Sequence, residues 1–130
     1  MHDYLITMKL QLIPLPVANP DLSKAFYTDK VGFHLDHDVI PGNGLRVIQL
    51  TPPGSACSIV FGTGMDNGET RPGSVKNLHL VVSDAECARA MLVERGVDVS
   101  NVHDMGGVKY AFFADPDGNS WALQQLPAQS

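Results

Sequence analysis

Two stretches 65 residues apart decide the fold of this chain: residues 17–33 read VANPDLSKAFYTDKVGF, and residues 82–98 read VSDAECARAMLVERGVD. Each stretch has helix-capping residue types at its start, an apolar period of 3.6 residues, and a glycine at its end. These capping and end residues are Asn19, Pro20 and Gly32 in the first stretch, and the Ser-x-x-Glu capping box Ser83 and Glu86 with Gly96 in the second. Each stretch is therefore predicted to be a helix.

The same order of predicted strands surrounds each helix. One strand precedes it and three follow, separated by turns rich in glycine and proline. The strands are predicted at residues 9–17, 34–40, 45–51 and 56–61 in the first half, and at 76–82, 97–103, 108–114 and 119–125 in the second. The chain is thus predicted to be an α+β domain with two tandem βαβββ modules, at about 9–61 and 76–126, joined by a linker at 62–75. Pro14 and Pro16 remove backbone donors from one side of the first strand, which indicates an edge strand.

Composition limits the class of protein. The chain has 130 residues, of which 44% are hydrophobic and 18% charged, and this is typical of a single globular domain. The net charge is −5 and the nine Lys and Arg residues are scattered, which argues against a nucleic-acid partner. No apolar run is long enough for a membrane span, and the first residues lack a signal-peptide pattern. A cytoplasmic location is expected.

The pattern V-x-[ND]-x6-F-Y-x4-G-F at residues 17–33, together with AFFADPDGNSWALQQ at 111–125, resembles the vicinal oxygen chelate superfamily. That family includes glyoxalase I, bleomycin-resistance proteins, fosfomycin-resistance enzymes and extradiol dioxygenases. The resemblance covers residues 9–126. It implies two βαβββ modules that form a U-shaped mixed sheet around a cleft, usually in a homodimer.

The resemblance also locates four strand positions where metal-dependent members hold a divalent ion. Three of them carry Leu12, Asn77 and Ala122 here, and no Asp or Glu occurs from Pro41 to Met65, where the fourth ligand would lie. Aliphatic side chains cannot ligate a metal ion, and a single Asn carbonyl is a weak ligand. The expectation is a metal-free cleft without a cofactor.

Residues of one strand parity are expected to line this cleft. The predicted ligand-binding residues are Leu12, Pro14, Arg46, Asn77, Tyr110, Phe112, Ala122 and Gln124, with His79 as the candidate acid or base. His79 is expected to share one strand face with Asn77. Tyr110 and Phe112 face the cleft if Ala114 lies opposite Ser120, whereas a bulge would reverse them.

Two further assignments concern the first module. Arg46 either pairs with an acid at the rim or reaches into the cleft, and its face is left open. His34 and His37 are three residues apart on one strand, so they are expected to point to opposite faces. His37 is then expected to be a partly buried structural residue.

Three functions fit these residues. The first is a binder of a small drug-like or secondary metabolite, comparable to an antibiotic-resistance protein that sequesters its ligand. The second is a metal-independent lyase, isomerase or cyclase in which His79 moves a proton and Asn77 or Arg46 stabilises an oxyanion. The third is a metal-dependent lyase or dioxygenase. The binder is favoured, because no second titratable group is evident on the face of His79.

Overall fold

The computed structural model describes residues 6–65 and 70–128, so part of the predicted linker, at 66–69, lies outside the described residues. The elements of the first module are β1 (Leu12–Pro14), α1 (Pro20–Ala25), β2 (His34–Gly42), β3 (Leu45–Thr51) and β4 (Ser58–Thr63). Those of the second are β5 (Leu78–Val81), α2 (Ala85–Glu94), β6 (His103–Met105), β7 (Val108–Ala114) and β8 (Ser120–Gln125). No helix of the described chain is long and apolar enough to cross a membrane.

The strands of the described residues form two four-stranded mixed sheets. Sheet A has the order β1-β4-β3-β2 and sheet B has the order β5-β8-β7-β6. The first pair of each sheet is parallel and the other pairs are antiparallel. The predicted α+β fold of two βαβββ modules is confirmed. β1 is an edge strand as predicted, although only three residues of the predicted segment 9–17 pair with β4.

Both helices begin with a side-chain cap, but only the first is capped as predicted. Asn19 accepts a hydrogen bond from Leu22 N at 3.1 Å. In α2 the cap is Asp84, whose carboxylate accepts from Cys87 N at 3.0 Å. The predicted Ser83–Glu86 capping box is therefore wrong. Because α2 begins at Ala85, Asp84 is the residue within reach of the free N–H groups of the first turn.

The first helix widens before it ends. Residues Phe26–Val31 continue α1 as a π-helix, and Gly32 ends it with a φ of +90°. Both Gly32 N and Phe33 N donate to Tyr27 O, at 3.0 and 2.8 Å. The widened turn lies where the side chains of Phe26 and Tyr27 enter the core.

The strand predicted at 97–103 is wrong for most of its length, because β6 covers only His103–Met105. Side chains take the place of the missing backbone ladder. Arg89 Nε donates to Ser100 O at 2.7 Å, and Ser100 Oγ accepts from Phe112 N at 2.9 Å. With the backbone bond from Ser100 N to Phe112 O at 2.9 Å, these contacts connect the segment to β7 and α2 without a regular strand.

One hydrophobic core lies between the two modules. The ring of Tyr27 contacts both Phe61 of sheet A and Trp121 of sheet B, each at a centroid distance of 5.9 Å. Phe33 also contacts Trp121, at 5.6 Å, and Phe26 lies 6.4 Å from Phe113. The face of each sheet that carries these side chains is its covered face. The opposite, uncovered faces of the two sheets point away from this core.

Candidate functional site

The uncovered face of sheet B brings together five of the residues predicted to line a site. Ala114 pairs with Ser120, so the register that turns Tyr110 and Phe112 to this face is confirmed. Phe112 then lies opposite Ala122, and Tyr110 lies opposite Gln124. His79 of β5 is paired with Ala122 from the other side. Trp121 alternates with these residues and is buried in the core.

Three rings on this face form a group that we call the aromatic platform: His79, Tyr110 and Phe112. The rings of Tyr110 and Phe112 are parallel to within 5° with centroids 6.1 Å apart, and His79 meets Tyr110 edge-on at 5.9 Å. Gln124 Nε2 donates to the Tyr110 hydroxyl at 3.1 Å and holds that ring in place. Ala122 is small and fully buried beneath them. An apolar surface of parallel rings with polar atoms beside it suits an aromatic ligand.

The hydrogen bond of His79 decides which ring nitrogen carries its proton. His79 Nδ1 lies 2.7 Å from the backbone oxygen of Asn77. A carbonyl oxygen can only accept, so Nδ1 donates and Nε2 is the nitrogen that can meet a ligand. Within the described chain, this ring is thus oriented by a carbonyl group and not by a carboxylate, in contrast to a typical catalytic acid–base pair.

Asn77 does not share a strand face with His79, and that prediction is wrong. Asn77 lies just before β5 in the left-handed region, with a φ of +61°, so the alternation of a strand does not extend to it. Asn is one of the few residues that adopt this conformation readily. Its backbone N–H donates to Ser120 Oγ at 2.8 Å, which ties the start of β5 to β8.

Leu12 and Pro14 lie on the other sheet, on the uncovered face of sheet A. Pro14 pairs with Val60 in the same way as His79 pairs with Ala122, so Val60 occupies the fourth position of the family's metal site. The four positions therefore carry Leu12, Val60, Asn77 and Ala122, and this set of side chains does not fit a divalent ion. In the part of the chain that the structure describes, no three His, Cys, Asp or Glu residues form a group that could hold a metal.

A cavity of about 620 Å³ opens beside β1 and β4. Its lining includes Pro14, Val60, Gly62, Met65 and Val75, which are all apolar. Pockets for small molecules commonly have volumes of about 300–1,000 Å³ and mostly apolar walls. The cavity is thus large enough for a small organic ligand. Two of its lining residues, Pro14 and Val60, belong to the uncovered face of sheet A.

Arg46 lies apart from all of these residues. The prediction that it is a ligand-binding residue is wrong. It pairs with Asp38 at 2.8 Å and with Asp21 of α1 at 2.9 Å, on the covered face. Hydrogen bonds from Arg46, and then from Lys24, hold the pKa of Asp38 far below its usual range. Of the two alternatives for Arg46, pairing with acids at the rim is the one observed, because α1 presents Asp21 directly above β3.

The sequence reasoning also misplaced His37 and missed its neighbours. A bulge in β2 between Leu35 and His37 shifts the register, so His34 pairs with Thr51 and His37 with Gln49. Both histidines therefore lie on the uncovered face, and His37 is exposed, not partly buried as predicted. Asp36, the extra residue of the bulge, turns to the same face. No sequence signal marks this bulge.

Comparison with known proteins agrees with this geometry. The family model described as Glyoxalase/Bleomycin resistance protein/Dioxygenase superfamily matches residues 9–123. No curated protein matches the chain.

Two solved structures from Streptomyces sp. CB03234 are similar over nearly their whole length. TnmS3, described as an antibiotic binding protein, is 34% identical, with 96% of this chain and 100% of that chain covered and a TM-score of 0.83. A glyoxalase/bleomycin resistance protein is 35% identical, with 90% and 100% covered and a TM-score of 0.77. A superfamily member from Sphaerobacter thermophilus is 25% identical, with 93% and 99% covered and a TM-score of 0.79. This chain belongs to the glyoxalase/bleomycin resistance protein/dioxygenase superfamily.

Proposed function

We propose that this protein binds a small aromatic metabolite of the antibiotic kind without transforming it, in a metal-free cleft. The aromatic platform carries the proposal. Its parallel rings, 6.1 Å apart, and the buried Ala122 beside them offer an apolar surface in place of a metal centre. The description of TnmS3 as an antibiotic binding protein supports the same reading. Resistance by sequestration is the biological role that this proposal implies.

The proposed cleft is completed by a second copy of the chain. The uncovered faces of sheets A and B point away from the shared core, so each needs another surface opposite it. Both faces expose apolar side chains, among them Leu12 at 38%, Phe112 at 36% and Val81 at 65% exposure. We infer a homodimer in which the uncovered face of sheet A in one copy faces that of sheet B in the other. The ligand then lies between the cavity at Pro14 and the partner's aromatic platform.

The binding proposal is tested with acridone, a flat, neutral and fluorescent aromatic probe. Titration of the wild type should show saturable binding. Phe112→Ala and Tyr110→Ala should each weaken it by about threefold to tenfold, the value of one aromatic stacking contact. Leu22→Ala is the matched control, because Leu22 is an exposed apolar residue on α1, away from both uncovered faces. Equal affinities in all four proteins would contradict a role for the platform.

The dimer is tested by sedimentation of the full chain. A stable interface buries at least about 1,000 Å² in total, so a dimer of the 14.0 kDa chain is expected at micromolar concentration. Val81→Asp places a charge in the proposed interface and should give a folded monomer that no longer binds acridone. Leu22→Asp adds the same charge elsewhere and should leave the dimer intact. A wild-type monomer would contradict the composite cleft.

A metal-independent enzyme is the second candidate, since the Nε2 atom of His79, a member of the aromatic platform, remains available to a ligand. His79→Gln keeps a donor and an acceptor but cannot carry a proton near neutral pH. It should spare ligand binding in a binder, whereas an enzyme should lose about 10²–10⁴-fold in turnover. Arg46 cannot serve such an enzyme from the covered face.

A further inference from the structure

A row of polar side chains crosses the uncovered face of sheet A from β4 to β2. Thr51 Oγ1 donates to the Asp36 carboxylate, and Gln49 Nε2 donates to the same oxygen at 3.2 Å. Ser58 Oγ lies 2.6 Å from Thr51 Oγ1. Because the single hydroxyl proton of Thr51 is directed at Asp36, Ser58 is the donor in this last contact. Ser58 and Thr51 therefore donate in sequence toward the Asp36 carboxylate, and Gln49 donates to it directly.

The row begins beside a position that the family uses for its ligands. Ser58 pairs with Leu12, which stands where metal-dependent relatives hold their first metal-binding histidine. From Leu12 the row runs across β4 and β3 to Asp36 at the bulge of β2. It thus forms part of the surface that lines the proposed cleft.

Asp36 differs from the other acids in the strands in how its charge is compensated. Asp38 is paired with Arg46 and Lys24, at 2.8 and 2.9 Å, on the covered face. Asp104 of β6 accepts a hydrogen bond from the backbone N–H of Gly107 at 2.8 Å. Asp36 is held by Thr51 and Gln49, and hydrogen bonds from these two neutral groups, with Thr51 the stronger, lower its pKa. Its carboxylate is therefore ionised at neutral pH, without a lysine or arginine partner.

In the described strands, the other titratable side chains on this face of sheet A are the imidazoles of His34 and His37. His34 Nε2 lies 3.8 Å from the carboxylate on a side chain that is 77% exposed, and His37 is next to it in the chain. In the described strands, no Lys or Arg lies on either uncovered face, because Arg46 and Lys109 both point to the covered side. An ordered carboxylate on a sheet face whose strands carry no lysine or arginine is a good acceptor for one cationic group.

We propose that Asp36 recognises a protonated amine on the ligand, so that the protein prefers amine-bearing, cationic aromatic metabolites over neutral ones. This inference rests on the proposed binding function. The amine donates to the Asp36 carboxylate oxygen that points into the cleft, while the aromatic part of the ligand lies on the platform. The ordered Thr51 and Gln49 fix the direction of the carboxylate before the ligand arrives.

The test uses two probes of similar shape: 9-aminoacridine, which is cationic at neutral pH, and neutral acridone. The wild type should bind the cation more tightly. Asp36→Asn keeps the shape of the side chain and removes its charge, and it should weaken binding of the cation by about threefold to tenfold while acridone is unaffected. Raising the salt concentration should weaken binding of the cation to the wild type and have little effect on its binding to Asp36→Asn.

Asp98→Asn is the matched control, because it removes one negative charge from an exposed residue between α2 and β6. It should leave the ratio of the two affinities unchanged. If Asp36→Asn binds both probes as the wild type does, while Phe112→Ala weakens both, the role of Asp36 is refuted and the proposed function stands. If neither probe binds the wild type, the two proposals fall together.

Discussion

The hydroxyl of Tyr27 makes two buried hydrogen bonds that join the two modules. Its removal tests how much these bonds contribute to stability. Tyr27 has no exposed surface. Its hydroxyl donates to Asp115 at 2.8 Å and accepts from Trp121 Nε1 at 2.9 Å. The first module thus satisfies two buried groups of the second. Tyr27→Phe keeps the ring and its contacts with Phe61 and Phe33, so only the hydrogen bonds are lost.

The loss of unfolding free energy depends on which hydrogen-bonding groups Tyr27→Phe leaves without a partner. Asp115 keeps three other donors, the backbone N–H groups of Asp117 and Asn119 and the Asn119 side chain. Trp121 Nε1 keeps no partner, and a buried unsatisfied donor costs about 1–3 kcal/mol. With the lost hydrogen bond to a carboxylate, Tyr27→Phe should lower the free energy of unfolding by about 2–3 kcal/mol.

Urea unfolding followed by tryptophan fluorescence measures this loss. With a slope of about 2 kcal/mol per molar urea, the midpoint should fall by about 1 M while the slope stays the same. Tyr110→Phe is the control, because its hydroxyl is half-buried on the uncovered face and accepts one hydrogen bond among the described residues, from Gln124; its midpoint should barely move. A loss below about 0.5 kcal/mol in Tyr27→Phe would refute the reasoning.

The same residue predicts a dependence on alkaline pH. Burial, and then the charge of Asp115, raise the pKa of Tyr27 far above its usual range. A raised pKa means that the folded state holds this proton more tightly than the unfolded state. The contribution is complete below about pH 10 and is lost above it at about 1.4 kcal/mol per pH unit. In Tyr27→Phe, the free energy of unfolding should not show this part of the decline above about pH 10.

Three other predictions concern separate features. Ser23 is buried in α1 and its hydroxyl makes no hydrogen bond in the described chain; Ser23→Ala should raise the free energy of unfolding by about 0.5–1 kcal/mol, and a lower urea midpoint would contradict this. The lowered pKa of Asp38 means that its stabilisation is present above about pH 4 and is lost as the pH falls toward the folded value. Asp38→Asn should therefore have a flatter acid side in its stability profile, and an unchanged profile would show that the pair with Arg46 contributes nothing. Elemental analysis of protein purified without chelator should find no stoichiometric metal, since Leu12, Val60 and Ala122 supply no donor; one equivalent of zinc, iron, nickel or manganese would overturn this prediction.

The sequence alone determined the features that depend on local order along the chain. The cap at Asn19 and the glycine at Gly32 fixed the first helix, because both act on the backbone within a few residues. The alternation in β7 predicted that Tyr110 and Phe112 share one face, and the observed pairing of Ala114 with Ser120 decided which face it is. The expectation of a metal-free cleft also rests on residue types alone, since Leu and Ala have no donor atoms.

Only the tertiary structure decided the features that depend on register or on partners far along the chain. The bulge in β2 turned His37 and Asp36 to the uncovered face, and one extra residue in a strand reverses every later side chain without a mark in the sequence. Arg46 was drawn to the covered face by Asp21 of α1, and strand parity cannot foresee a partner on another element. The contact of Tyr27 with Trp121 joins residues 94 positions apart and turns both covered faces to one core. That packing directs the uncovered faces outward, because each sheet can bury only one face against the helices.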